Sequence, residues 1–289
     1  MKTVLLLGKG YVGSQLDRFL RQKNLQVISY RRSELDYTNP FILQKLLLEH
    51  KDKFEVIINC SGYTGSPNVD ACEENKADCW FWNVIVPNNI ALAASTHFLP
   101  VFNVSSGCIY SGYDKEYTEE DEPNFGLYSD MSSYYSKCKH AYETLVKNLY
   151  VYTFRVRMPF EGTLNSKNYL TKLYKYDTLI SSPNSLTSIT DLNEFIFRML
   201  FLYRQMPPGP INTVNEGSMT AKEVVEIMKA HGIINDNWKF IEIADLKTKA
   251  NRSNCVLSNA KIKTYNVALP DARSSLERDI AQLSQFIKK

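Results

Sequence analysis

The chain has 289 residues, 44% hydrophobic and 22% charged, a globular composition with enough apolar material for one large domain or two small ones. No run approaches the roughly 18 uncharged apolar residues of a membrane span, and a net charge of +3 leaves no footprint for nucleic acid or an anionic membrane surface. Six cysteines form no CxxC pair and there are only four histidines, so neither a metal site nor a secreted disulfide framework is expected. The N-terminal apolar run is too short for a signal-peptide core, and a cytoplasmic protein with reduced thiols is expected.

Val4–Leu7 reads as a fully apolar strand, Gly8–Gly13 as a tight turn, and Tyr11–Gln22 as a helix with Val12, Leu16, Phe19 and Leu20 on one face. The turn spells Gly8-Lys9-Gly10-Tyr11-Val12-Gly13. In a G-x-G-x-x-G turn the first glycine allows the bend, the second lets backbone approach a pyrophosphate, and the third lets the helix pack on its strand. Between an apolar strand and an amphipathic helix the motif predicts a dinucleotide site at Gly8, Gly10, Tyr11, Val12 and Gly13. Gln26–Tyr30 is a second strand. An acid at its end would hold a ribose 2′-hydroxyl, but this chain has Tyr30-Arg31-Arg32-Ser33. Guanidinium forks suit a 2′-phosphate, so NADP is the expected cofactor, with Arg31 and Arg32 as its contacts. The competing reading makes both arginines plain solvated loop charges.

Asn39-Pro40 opens a second helix, with Asn as cap and Pro at the first position. Val56–Ile58 is a third strand, and Asn59, Cys60 and Ser61 at its end join the expected cofactor contacts. Helical stretches follow around 71–80 and 84–97, then a strand at Val101–Val104, a polar loop over 107–130, a helix from about Ser132 to Asn148, and a strand at Thr153–Val156. Strand–helix alternation of this kind predicts an α/β fold, a Rossmann-type doubly wound parallel sheet. Residues 1–157 are expected to form the NADP-binding domain and 158–289 a smaller, mostly substrate-binding part with some elements returning to the core. That second part predicts helices near 166–176, 190–204 and 220–231, a turn at Met206–Pro210, and a short and a final helix after Asn251.

Tyr135-Ser136-Lys137-Cys138-Lys139 contains Y-x-x-x-K, a pattern that chance alone supplies in a chain with 18 tyrosines. Its weight comes from position, because it opens a helix downstream of a strand that ends in Ser105-Ser106. On a helix, i and i+4 share a face, so the phenol and the ammonium can point into one site. A lysine ammonium and an oxidised nicotinamide would stabilise the phenolate, and a serine hydroxyl would hold a substrate carbonyl. Such a set delivers a proton to an oxygen while a nicotinamide delivers hydride to its carbon.

These residues, with the stretches 59–73, Gly107-Cys108-Ile109-Tyr110, 120–125, Arg155-Val156-Arg157-Met158-Pro159, Pro183-Asn184-Ser185-Leu186-Thr187 and Asn251-Arg252-Ser253-Asn254, resemble an extended short-chain dehydrogenase/reductase. Within that superfamily the chain resembles the dTDP-4-dehydrorhamnose reductase branch. More narrowly, it resembles the bifunctional UDP-4-keto-6-deoxyglucose 3,5-epimerase/4-reductases, the UDP-L-rhamnose synthases of plants and of a giant virus. The resemblance implies that Ser106 is the substrate-binding hydroxyl, with Ser105 the lesser choice, and that Asn83 is a structural asparagine. It also implies a nucleotide-sugar substrate made by a separate 4,6-dehydratase, and a homodimer.

Rhamnose formation from a 4-keto-6-deoxyglucose nucleotide inverts C3 and C5, both alpha to the carbonyl, before C4 is reduced. One site then needs an acid and a base on opposite faces of the sugar. Cys108 lies two residues after Ser106, where the similar GDP-fucose synthase also has a cysteine. Nearby cations that lower its pKa would let it exchange protons; a small buried apolar residue is the competing reading. GDP-fucose synthase pairs its cysteine with a histidine, and this chain has none between 141 and 230. The corresponding helix offers Lys172 and Lys175, which with Asn168 fall on one face, and Lys175 is the preferred partner. Asn168, Lys172 and Asn184 are also expected to touch substrate. A reductase without epimerase activity and a non-catalytic NADP-binding regulatory subunit are the alternatives.

Overall fold

The computed structural model describes residues 3–288 apart from 51, 67, 176–177, 181–184, 236–237, 242–244 and 246–247. Its centre is a six-stranded sheet in the spatial order Val27–Tyr30, Thr3–Leu7, Phe54–Asn59, Val101–Ser106, Val151–Val156 and Gly209–Asn212. Every pairing is parallel. A parallel sheet must be covered on both faces, which is why the strand Thr3–Leu7 is buried along its whole length. Leu6 and Ile58 face one core with Leu16, Leu20 and Phe195, whereas Leu5, Leu7 and Ile57 face another with Leu43, Leu47, Ile90 and Tyr142. The doubly wound parallel sheet is therefore as the strand–helix alternation implies. Strand order reverses at Thr3–Leu7, which pairs with the second strand on one side and the third on the other. The crevice for a ligand opens at the carboxyl ends there.

Two features depart from the sequence reading. The stretch Met206–Pro210, expected as a turn, runs into the sixth strand, Gly209–Asn212, with Pro210 opposite Thr153. A proline is tolerated there because an edge strand needs ladder bonds on one side only. The helices expected at 71–80 and 84–97 become Asp70–Glu74, Lys76–Trp80 and Val86–Ser95, the last two joined by a π-helical turn at Phe81–Ile85. Pro87 cannot donate to the carbonyl four residues back, so a wider turn precedes it. The Asn83 amide fills in, donating to the carbonyls of Cys79 at 2.9 Å and Tyr63 at 2.8 Å.

Beyond residue 158 a separate core forms from Phe160, Leu170, Met219, Val225, Leu276 and Ile280. The helices Tyr169–Lys175, Ala221–Ala230 and Ala272–Ile287 build it, whereas Leu192–Leu202 returns to pack on the sheet; all four lie near where the sequence places them. Among the described residues, no helix is long and apolar enough to cross a membrane.

Candidate active site

The glycine turn is shaped by close approach. Gly8 has φ +92°, and a methyl there would sit 2.5 Å from the Ser61 backbone nitrogen. A methyl on Gly13 would run into the Gly8 carbonyl, whereas one on Gly10 would meet open space. The turn thus presses against the third strand while its middle glycine leaves room for a ligand. A cleft of about 370 Å³ opens above it, lined by Gly8, Lys9, Gly10, Arg31, Arg32, Cys60, Ser61 and the neighbouring Tyr37, Gly62, Tyr63 and Trp82. No acidic side chain occupies the first turn of the helix Tyr11–Gln22, so its N-terminus presents unopposed N–H groups to a pyrophosphate. These residues fit a dinucleotide. Trp82 had no signal in the sequence. It comes to the cleft because the π-helical turn carries it there, and the Arg32 guanidinium lies 5.3 Å from its ring centre.

Three of the expected cofactor residues sit behind the lining. Val12 packs against the core, and Tyr11 runs among Glu161, Asp279 and Asp191. Asn59 is buried and works on the loop, accepting from the Ser61 backbone N–H at 3.0 Å and its hydroxyl at 2.6 Å, and donating to Asn103 at 2.7 Å.

Tyr135 and Lys139 lie on the helix Tyr134–Leu145, which starts because Ser133 accepts the Ser136 N–H at 3.1 Å. The Lys139 ammonium is 5.4 Å from the Tyr135 ring centre, and it also faces Gly62 in the cofactor cleft. Both side chains are buried. Ser106 ends the fourth strand and accepts the Cys108 backbone N–H at 3.3 Å. Ser105 is the more buried of the serine pair, and among the described residues its hydroxyl has no hydrogen-bond partner. Cys108 and Tyr135 share one apolar cluster with Cys72, Cys79 and Cys138.

Burial pushes the Tyr135 phenol well above its usual value, the Cys108 thiol adds to this, and the Ser106 hydroxyl opposes it. Burial pulls the Lys139 ammonium down, against the thiols of Cys108, Cys79 and Cys138 and the Glu143 carboxylate. Cys108 shows a balance that the sequence did not predict. The expected cations are present as Arg157 and Lys139, and Ser106 and Ser136 donate to it, yet burial outweighs them all and the thiol pKa rises. The balance favours the thiol over the thiolate.

The two candidate lysines separate by exposure. Lys175 is exposed, whereas Lys172 is half-buried, and burial with the neighbouring Lys167 lowers its pKa. Asn168 is buried and turned inward, donating to the carbonyls of Glu161 at 2.8 Å and Thr163 at 2.6 Å. Asn184 lies outside the described residues. A third lysine, which the sequence reading passed over, reaches the site loop: the Lys167 ammonium donates to the Gly65 carbonyl at 2.7 Å and the Thr64 hydroxyl at 3.3 Å. Its only sequence signal was its place one residue before Asn168. Among the described residues no group of acids, cysteines and histidines could hold a metal.

The chain is 32% identical over 232 residues to the bifunctional dTDP-4-dehydrorhamnose 3,5-epimerase/dTDP-4-dehydrorhamnose reductase of Arabidopsis thaliana, covering 76% of this chain and 74% of that one. It is 29% identical over 288 residues to an Arabidopsis thaliana trifunctional UDP-glucose 4,6-dehydratase/UDP-4-keto-6-deoxy-D-glucose 3,5-epimerase/UDP-4-keto-L-rhamnose-reductase, and spans 40% of that longer protein's length. Among solved structures, the UDP-rhamnose synthase of Acanthamoeba polyphaga mimivirus superposes with a TM-score of 0.85 at 23% identity, over 97% of this chain and 99% of that one. The dTDP-4-dehydrorhamnose reductase of Bacillus anthracis, in complex with NADP, gives 0.82 at 20% identity over the whole of both chains. The RmlD substrate binding domain model matches residues 1–285, and the protein belongs to that family.

Proposed function

We propose that this protein is a bifunctional 3,5-epimerase/4-keto-reductase that converts UDP-4-keto-6-deoxy-D-glucose to UDP-β-L-rhamnose with NADPH. The observation that carries the reading is the convergence of Ser106, Tyr135, Lys139 and Cys108 beside a dinucleotide-shaped cleft. The Arabidopsis relative that combines both chemistries supports it. Arg31 and Arg32 at the rim of the cleft favour a 2′-phosphate and hence NADPH.

Bound NADPH supplies the hydride to C4. The chain's own residues handle protons and charge. The Ser106 hydroxyl donates to the C4 oxygen and holds the carbonyl in place. Tyr135, kept as a neutral phenol by burial, gives its proton to that oxygen as the alcohol forms, and the Lys139 ammonium stabilises the phenolate left behind. The same hydroxyl pair stabilises an enolate oxygen while C3 and C5 are inverted. Cys108 delivers a proton from one face of the sugar. A lysine removes one from the other, and the half-buried Lys172, whose depressed pKa leaves more of it as neutral amine, is a better base than the exposed Lys175. The substrate comes from a separate 4,6-dehydratase, and the protein works in the cytoplasm as a homodimer with residues 1–157 binding NADP and 158–289 mostly binding the nucleotide sugar.

The test is to incubate the protein with UDP-4-keto-6-deoxyglucose and NADPH and identify the product. UDP-β-L-rhamnose is expected. NADPH oxidation only with the already inverted 4-keto-rhamnose nucleotide would leave a reductase alone, and no oxidation with either sugar would leave a binding subunit. Equal use of NADH and NADPH would remove the role given to Arg31 and Arg32.

A further inference from the structure

Among the described residues, Arg157 has no carboxylate to pair with its charge. It follows the fifth strand, its side chain is 5% exposed, and its three hydrogen bonds go to the Ser253 hydroxyl at 3.0 Å, the Ser253 carbonyl at 3.0 Å and the Thr187 hydroxyl at 3.2 Å. All are neutral, and among the described residues its Nε has no hydrogen-bond partner. A buried guanidinium without a countercharge is costly to keep unless an anion forms near it.

The structure also shows which group lies near. Gly107 has no side chain, and a methyl there would meet the Arg157 Cδ at 3.1 Å, so the stem runs directly beneath the turn that carries Cys108. The groups facing Cys108 are Arg157 from below, Lys139 and Tyr135 from the tyrosine helix, and Cys72 from the helix Asp70–Glu74. Only the first two are cations, and Lys139 is committed to the phenol.

We propose that Arg157 is the positioning residue of Cys108, a sealed cation that stabilises the negative charge left on its sulfur when the thiol gives its proton to the sugar. This rests on the epimerase reading of Cys108. In that step the S–H bond breaks and a C–H bond forms at the inverted carbon. The electron pair stays on sulfur, and the guanidinium keeps all its protons. Burial alone would make such a thiolate a poor product, and Arg157 offsets it without reaching into the cleft.

The test is a titration of Cys108 itself. Thiolate absorbance near 240 nm is followed against pH as the difference between proteins with and without Cys108, the latter made as Cys108→Ser. In Arg157→Met the midpoint should rise by about one to two pH units, the size of effect a nearby opposite charge produces. Arg157→Lys should recover at least half of that shift. Arg157→Gln keeps amide donors for Ser253 and Thr187 without the charge, and reads the same shift should the methionine variant fail to fold. An unmoved midpoint, with KM for the sugar nucleotide raised instead, would make Arg157 a substrate contact and overturn the proposal. C3 and C5 deuterium exchange by the wild type is measured in parallel. Were Cys108 to titrate as expected while its removal left exchange untouched, the pairing would stand and the epimerase reading would fall.

Discussion

Tyr135 and Cys108 sit against the same Ser106 hydroxyl, yet different chemistry is asked of them. On the proposed mechanism Tyr135→Phe removes the proton donor for C4 and one of the two hydroxyls that stabilise the enolate. It should bind NADPH and slow C3 and C5 exchange in deuterated water far less than reduction, with NADPH oxidation falling by ~10²–10⁴-fold, the usual worth of a general acid. Cys108→Ser should show the opposite pattern, slow exchange with reduction of an already inverted 4-keto sugar retained, because a hydroxyl gives up its proton far less readily than a thiol. Near wild-type exchange in Cys108→Ser would mean that the thiol only packs. In the same assay Lys172→Met should block exchange at one or both carbons, whereas Lys175→Met should leave it nearly intact. The Tyr135–Lys139 pair was legible in the sequence because i, i+4 spacing on a helix fixes which side chains share a face. The state of Cys108 was not, because it depends on how much burial offsets Arg157 and Lys139, a balance set by tertiary packing.

At the scale of elements, one buried ion pair anchors the helix Tyr134–Leu145 that carries Tyr135 and Lys139. The Arg155 Nη2 meets the Glu143 Oε2 at 2.6 Å, its Nε reaches both carboxylate oxygens at 3.1 and 3.2 Å, and its Nη1 donates to the Tyr110 hydroxyl at 3.1 Å. This ties the helix to the strand Val151–Val156 one turn beyond Lys139. Removing one partner strands a buried charge, typically at a cost of about 3–5 kcal/mol. Arg155→Met should therefore lower stability to urea by about that amount. The double variant Arg155→Met/Glu143→Leu should regain much of it, since replacing both partners by apolar groups is often close to neutral. If the double variant is as unstable as the single one, the fork matters through its bond to Tyr110 rather than through charge. The pairing of Arg155 with Glu143 was not legible in the sequence, since two residues twelve apart have no periodicity to announce it. The π-helical turn escaped for a related reason. The sequence reading left a break between the helical stretches 71–80 and 84–97, but the solution, an Asn83 amide serving two carbonyls, belongs to the folded loop.

For the molecule as a whole, the second core must be fastened to the sheet, and contacts distant in sequence do this. Asp70 accepts the Ala250 N–H at 3.0 Å and pairs with Arg252 at 3.0 Å, while Lys167 holds the Gly65 carbonyl from the other side. Behind the glycine-turn helix, Asp279 of the last helix, the helix-capping Asp191 and Glu161 gather around Tyr11. Arg278 is their cation, but it is spread over Asp191, Asp279 and Glu194 and is half exposed. Burial and the repulsion from Asp191 therefore win over Arg278, and Asp279 is raised from 3.8 to about 7; among the described residues its Oδ2 has no hydrogen-bond partner. A folded pKa above the unfolded one means that the stability carried by the protonated acid is complete below about pH 4 and is lost as pH rises through about 7. Asp279→Asn removes that titration while keeping the size of the side chain. Between pH 5 and pH 8 the urea midpoint of the wild type should fall relative to that of Asp279→Asn, most steeply at the acid end of that range and levelling off above about pH 7. Parallel curves for the two proteins across that range would show that Arg278 balances Asp279 after all, and that the junction between the two cores carries a standing ion pair rather than a neutral acid.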